Sequence, residues 1–196
     1  MSDREEFVSL LKSTGRKGVD SVVGYLEKSG FFTAPASVSR HLSHDGGLLE
    51  HSLNVCRTAM ALRGQMLQMR PGLEARLPEE SVVLVSLLHD VCKANIYKKI
   101  TKYRKDANNR WESYDGYDVD YTRFPLGHGE KSVVMLLRLG LELTNDEVLA
   151  IRWHMGAWDL SFQSFESKSN ISAASDVPLV AILQAADALA AHLLEA

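Results

Sequence analysis

Six residues of this chain have the side chains that hold divalent metals: His51, His89, Asp90, His128, His154 and Asp187. The pair His89-Asp90 directly follows the apolar run Val82 to Leu88. A carboxylate placed that near a core costs several kcal/mol unless something of opposite charge meets it. A metal is one such partner. Adjacent helical positions point roughly 100° apart, so a His-Asp pair can serve a site spanning two metals, and the two carboxylate oxygens can bridge. His51 lies among Leu48, Leu49, Leu53 and Val55. Asp187 interrupts the small apolar stretch Ala185 to Ala190, where a poor helix former has no value as filler. His128 stands in Leu126-Gly127-His128-Gly129-Glu130, and His154 in Trp153-His154-Met155-Gly156. Each alone has an ordinary reading, since a histidine at a helix end is most often structural and an isolated Asp often faces solvent. Together, imidazoles and carboxylates without thiolates suit Mn, Fe, Co, Ni or Zn. The chemistry such a set serves is polarisation of a substrate and activation of water.

Apolar spacing gives the elements that must position these residues. Phe7, Val8, Leu10 and Leu11 predict a helix over 4–13, and Val19, Val22, Val23 and Leu26 one over 17–28, closed by Gly30. Residues 31–43 read as a loop with Pro35. The turn Asp45-Gly46-Gly47 opens a long helix over 48–69, ended by Pro71. Pro78, Glu79 and Glu80 begin a helix expected to run to about Tyr97. Residues 98–124 read as a hairpin insert turning at Asn108-Asn109. Helices resume over 128–139 and 144–155, the second with the capping box Thr144 and Glu147. The Ser-rich stretch 157–176 reads as a surface loop, and Pro178 starts a last helix over 178–195. The expected fold is all-α, a helical bundle with a small β-hairpin insert, forming one domain over 1–196 with N-terminal helices in 1–43.

A chain of 196 residues suits one domain and buries a core without staples. Its net charge of −3 gives no sign of polyanion binding. Cys56 and Cys92 read as buried free thiols of a reducing compartment. The polar start MSDREEF is unlike a secretory signal. Val177 to Leu194 carries Gln184, Asp187 and His192, so it reads as a core helix, not a membrane span. The expected location is the cytoplasm.

In the order His51, His89-Asp90, Asp187, the chain resembles the HD superfamily of metal-dependent phosphohydrolases. Gly46-Gly47-Leu48-Leu49-Glu50-His51-Ser52 and Leu87-Leu88-His89-Asp90-Val91-Cys92-Lys93 are similar to the first two motifs of that family, and the likeness covers roughly residues 44 to 192. The resemblance implies a bundle of helices whose ligands converge from separate elements. His128 and His154 fall where two-metal members carry two further histidines. Such members include HD-type diadenosine tetraphosphate hydrolases, cyclic-di-GMP phosphodiesterases and myo-inositol oxygenase. By resemblance, one metal takes His51, His89, Asp90 and Asp187, and a second takes His128 and His154 with Asp90 as bridge. His128-Gly129 matches the hydrolase subgroup. No Gly-Tyr-Pro follows the HD pair, which disfavours the cyclic-di-GMP type. HD-type 3′–5′ exoribonucleases share the Gly-Gly-Leu-Leu-Glu-His stretch but are usually fused to an OB domain.

The resemblance implies hydrolysis of a small phosphorylated substrate, such as a nucleotide, by metal-activated water, with Asp90 and Lys93 catalytic. Lys93 stands at the HD-x-x-K spacing, where it would meet a phosphate oxygen; otherwise it is a solvated lysine. Lys131, Tyr103, Arg104 and Trp111 are further expected substrate contacts, the last three on a hairpin that acts as a lid or is simply solvated. The Trp158, Phe162 and Phe165 stretch is a second candidate rim. Glu130 orients a ligand histidine or caps its helix, and Arg152 points to the surface. His41 and His44 read as loop residues and His192 as a last-turn residue. Alternative readings are an iron-dependent oxygenase on the same scaffold, a 3′–5′ exonuclease-like enzyme and a nucleotide sensor. A nucleic-acid substrate is less favoured by the charge. Oligomeric state has no sequence signal.

Overall fold

The computed structural model describes residues 1–120, 122, 124, 126–156 and 165–195, with the side chains of 165–168 excepted. Among these residues the α-helices are α1 (Asp3–Ser13), α2 (Val19–Ser29), α3 (Gly47–Met69), α4 (Glu79–Leu88), α5 (His128–Arg138), α6 (Asn145–Trp153), α7 (Phe165–Ser175) and α8 (Pro178–Leu189). Strands β1 (Tyr97–Lys105) and β2 (Trp111–Val119) form one antiparallel hairpin between α4 and α5. One apolar cluster draws on every helix, from Phe7 and Leu11 of α1 to Ala186 of α8. Helix α3 sits centrally, packed on α1, α4 and α8, while α6 lies between α5 and α8. Burial of each large aliphatic side chain there contributes roughly 1.5–3 kcal/mol. The expected helical bundle with a hairpin is what forms. No single helix among the described residues is long and apolar enough to cross a membrane.

Three expectations need correction. The helix from Pro78 does not reach Tyr97. It stops at Leu88, Asp90 takes the bridge conformation (φ −102°, ψ 17°), and Val91–Lys93 form a 3-10 turn. Val91, Cys92, Ala94 and Ile96 remain buried, which is why the apolar pattern reads onward as helix. The expected surface loop over 157–176 contains α7, whose Ala174 is buried and Ile171 partly so, one helical turn apart. A seat for two apolar residues outweighs the weak helix propensity of the serines. Trp158 and Phe162 lie outside the described residues, as does the side chain of Phe165. The last helix is α-helical to Leu189, then widens into a π turn over Ala190–Leu194.

The hairpin turns over 106–110, where the Asp106 carboxylate accepts from the N–H groups of Asn108 and Arg110 at 2.8 and 2.9 Å and Asn109 takes φ 61°. Its base is tied down. Tyr117 and Lys99 both donate to Asp45 at 2.5 Å, just before α3. Its outer residues Tyr103 and Trp111 are exposed.

Two close approaches fix the helices that carry the candidate ligands. A Cβ on Gly47 would stand 2.1 Å from the Leu42 carbonyl oxygen. A Cβ on Gly129 would stand 2.3 Å from the carbonyl oxygen of Arg152, so only glycine lets the start of α5 press on the end of α6. Glu147 locks the same region. It completes the expected capping box with Thr144, and its fully buried carboxylate also accepts from both Arg16 nitrogens (2.8 and 2.7 Å) and from Ser81 Oγ (2.6 Å). This joins α6 to α4 and to the α1–α2 loop. Glu147→Ala leaves Arg16 half of a broken pair and should cost about 3 kcal/mol. A denaturant midpoint within a few tenths of a molar of wild type would contradict that.

Candidate metal centre

The six expected residues converge, each from the end or inner face of a different stretch. His51 comes from the second turn of α3, His89 caps α4, and Asp90 follows at the bend. His128 is the first residue of α5, His154 caps α6, and Asp187 faces inward from α8. His51, His89, Asp90 and His154 are buried. The two oxygens of Asp90 divide the histidines between them. Oδ2 lies 3.7 Å from His51 Nε2 and 3.6 Å from His89 Nε2. Oδ1 lies 3.5 Å from His154 Nε2 and in direct contact with His128 Nε2. Asp187 Oδ1 closes the first group, 3.3 Å from His51 Nε2 and 4.0 Å from His89 Nε2. Lys93 reaches Asp90 Oδ2 at 2.7 Å because side chains three apart on a 3-10 turn eclipse.

The outer nitrogens set the rings. His89 Nδ1 lies 2.9 Å from the Ser86 carbonyl, and His154 Nδ1 lies 2.7 Å from that of Ile151. A carbonyl only accepts, so each Nδ1 donates and each ring turns its Nε2 inward. His51 Nδ1 donates to Glu195 at 3.0 Å, and His128 Nδ1 lies 3.5 Å from Cys92 Sγ. The Nε2 atoms of His89 and His154 are buried and have no hydrogen-bond partner among the described residues. Orphaned lone pairs in a dry site are costly unless a cation meets them. The donor set therefore fits a divalent metal, and it offers several overlapping groups of three or more ligand atoms.

Charge follows the same division. Burial opposes a proton on His51, yet hydrogen bonds to Asp187 and Glu195 push its pKa up to about 9. Burial also opposes His128, and the Asp90 charge overrides it, to about 10. His89 has no such contact, so burial pushes it down to about 4. Burial disfavours the Asp90 carboxylate, but Lys93 and His128 hold it well below the usual range. Burial likewise opposes the Lys93 charge, and Asp90 holds the ammonium protonated.

A model of the HD domain matches residues 48–192. The chain belongs to the HD domain family. This HD chain is also 28% identical, over 116 residues, to a dihydroneopterin 2′,3′-cyclic phosphate phosphodiesterase of Methanocaldococcus jannaschii. The match covers 59% of this chain and 41% of the relative, so the chain spans less than half of the protein it resembles. No solved structure matches the HD chain at a significant level.

A cavity of about 450 Å³ opens over the cluster, lined by His51, Asp90, Lys93, His154 and Asp187 among others. The other expected substrate contacts lie elsewhere. Arg104 pairs with Glu112 on the hairpin, Tyr103 and Trp111 are exposed, and none of the three lines this cavity. Lys131 is buried beside smaller cavities near Phe124. Among the described residues Glu130 makes no hydrogen bond to a ligand histidine; it stands in the first turn of α5, where a carboxylate suits the helix N-terminus, and pairs with Arg152 at 2.8 Å, while Arg152 covers the Trp153 ring instead of pointing to solvent. Sequence reasoning missed Arg40 and Gln184, and it left His41 and His192 as ordinary residues; all four line the cavity. It also missed Glu195, fully buried against His51 and Asn54. The π turn before Glu195 has no sequence signature.

Two predictions follow from this electrostatic arrangement. Metal ligation needs neutral imidazoles, and His51 and His128 are protonated at neutral pH in the metal-free fold. Affinity for a divalent ion should therefore keep rising from pH 7 towards 9, past the range where an ordinary histidine finishes titrating. Calorimetry in buffers of different ionisation enthalpy should count more than one proton released per chain; an affinity flat above pH 7 contradicts this. Glu195→Ala removes the acceptor that orients His51 and should weaken metal binding roughly 10–100-fold. Competition against a chelator measures it, and unchanged affinity would leave Glu195 a packing role alone.

Proposed function

We propose that this HD chain is a metal-dependent phosphohydrolase that binds two divalent metals and cleaves a small phosphoester, with nucleotides and cyclic phosphodiesters the favoured substrates. The observation that carries the reading is the division of Asp90 between two histidine pairs. One carboxylate facing two groups of imidazoles suits a bridge between His51, His89 and Asp187 on one side and His128 and His154 on the other. The archaeal relative, a cyclic phosphate phosphodiesterase, supports the reaction class.

Metals held there would lower the pKa of bound water and draw charge from the phosphoryl oxygens. The chain's own residues prepare the site. Backbone carbonyls, Glu195 and Cys92 fix the four rings before any ligand arrives, so little reorganisation remains for the reaction. Lys93 spends two donor directions on Asp90 and on the Ala36 carbonyl at 2.9 Å. An ammonium has three donors, and the remaining one suits a phosphoryl oxygen, since Lys93 lines the cavity. The cavity volume is in the range of small-molecule sites, about 300–1,000 Å³.

The test is phosphate or alcohol release from a panel of nucleotides and cyclic phosphodiesters by protein loaded with Mn, Fe, Co, Ni or Zn, with oxygen uptake recorded in parallel. Asp90→Asn should lose at least about a thousandfold in kcat, equal to roughly 4 kcal/mol, with the helical circular dichroism kept. Retained turnover in Asp90→Asn would sink the scheme. Oxygen uptake without phosphoester cleavage in the iron-loaded protein would replace it with oxygenase chemistry.

A further inference from the structure

The loop before α3 brings Arg40 and His41 to the wall of the same cavity, which Lys93 also lines. The Arg40 side chain has no hydrogen bond or ion pair among the described residues. His41 Nε2 is shut off from solvent and is also unpartnered among them. The loop is tightly tied. Ser37 Oγ donates to the His41 carbonyl at 2.7 Å and accepts from the Arg40 N–H at 2.9 Å. Ser43 Oγ donates to the Val38 carbonyl at 3.0 Å, and Leu42 takes φ 44°, a strained value for a branched residue. Lys93 and Tyr97 both donate to the Ala36 carbonyl, which fastens the loop to the HD turn itself.

We propose that Arg40 forms a second anion subsite, so that the substrate carries an anionic group besides the reacting phosphoester. This rests on the phosphohydrolase reading above. Depth separates the two cations. Lys93 is mostly buried and held on Asp90 at the floor, whereas Arg40 is exposed at the mouth. A phosphoryl group on the floor would have Lys93 beside it, which leaves Arg40 for a group further out. Among the described residues, the carboxylates in the lining are Asp90 and Asp187, both within the histidine cluster. The lining also includes Met155, Gln184 and His192, side chains without a formal charge of fixed sign that suit an organic body. A guanidinium binds carboxylate or phosphate through paired donors.

The test is calorimetric binding of non-hydrolysable phosphonates to the Mn-loaded protein. Propylphosphonate is compared with 3-phosphonopropionate, and hexylphosphonate with 6-phosphonohexanoate, so that each pair differs in a terminal carboxylate at short or long reach. In at least one pair the carboxylate member should bind about tenfold more tightly, the size of a charge-assisted hydrogen bond. Arg40→Ala should abolish that preference, leaving alkylphosphonate affinity and metal content unchanged. Arg40→Lys should keep part of it. Equal affinities within both wild-type pairs overturn the proposal. So does a preference that survives Arg40→Ala, or an Arg40→Ala variant that weakens all four ligands alike. If no alkylphosphonate binds the metal-loaded protein, the phosphoester reading beneath it falls instead.

Discussion

The structure depends on how one buried carboxylate is compensated. Asp90 is almost wholly removed from water, and a lone charge in such a place would cost several kcal/mol. Four imidazoles and one ammonium surround it. The bend at the end of α4 exists for the same reason. A helix continued through Asp90 would place Lys93 and the carboxylate in another relation, whereas the 3-10 turn eclipses them and holds them at 2.7 Å.

The other elements serve that centre by bringing helix ends together. His89, His128 and His154 each stand at a terminus, where backbone carbonyls or loop side chains are free to take the outer ring nitrogen. Packing then has to bring termini closer than ordinary side chains allow. Gly129 lets α5 reach α6, and Gly47 lets α3 reach the preceding loop. Glu147 ties the same corner to α4 and to Arg16. Rigidity of this kind suits a site in which a displacement of an ångström changes ligand geometry.

Much of the centre was legible in the sequence because its residues break local rules. Asp187 in an alanine-rich helix, and an HD pair after the largely apolar run Val82 to Leu88, are poor choices for folding alone. Helices with a clear apolar period, such as α1, α3 and α5, lie where the spacing puts them. What stayed hidden depends on the third dimension. Glu195 has no sequence signal that marks it, and the π turn alone places it against His51. Arg40 and His41 sit in a stretch without periodicity, and hydrogen bonds among loop serines decide where they point. The hairpin misled in the opposite way. Its density of cations and aromatics suggests a ligand contact, yet Tyr103, Arg104 and Trp111 do not line the cavity, and cations of β1 lie over rings of β2, Arg104 over Tyr114 and Lys105 over Trp111.

The central claim is that one carboxylate bridges two metals. Anomalous diffraction from crystals grown with cobalt, recorded on both sides of its absorption edge, tests it most directly. The account predicts two peaks per chain flanking Asp90, one within bonding distance of His51, His89 and Asp187, the other of His128 and His154. A single peak, or peaks away from Asp90, would contradict it.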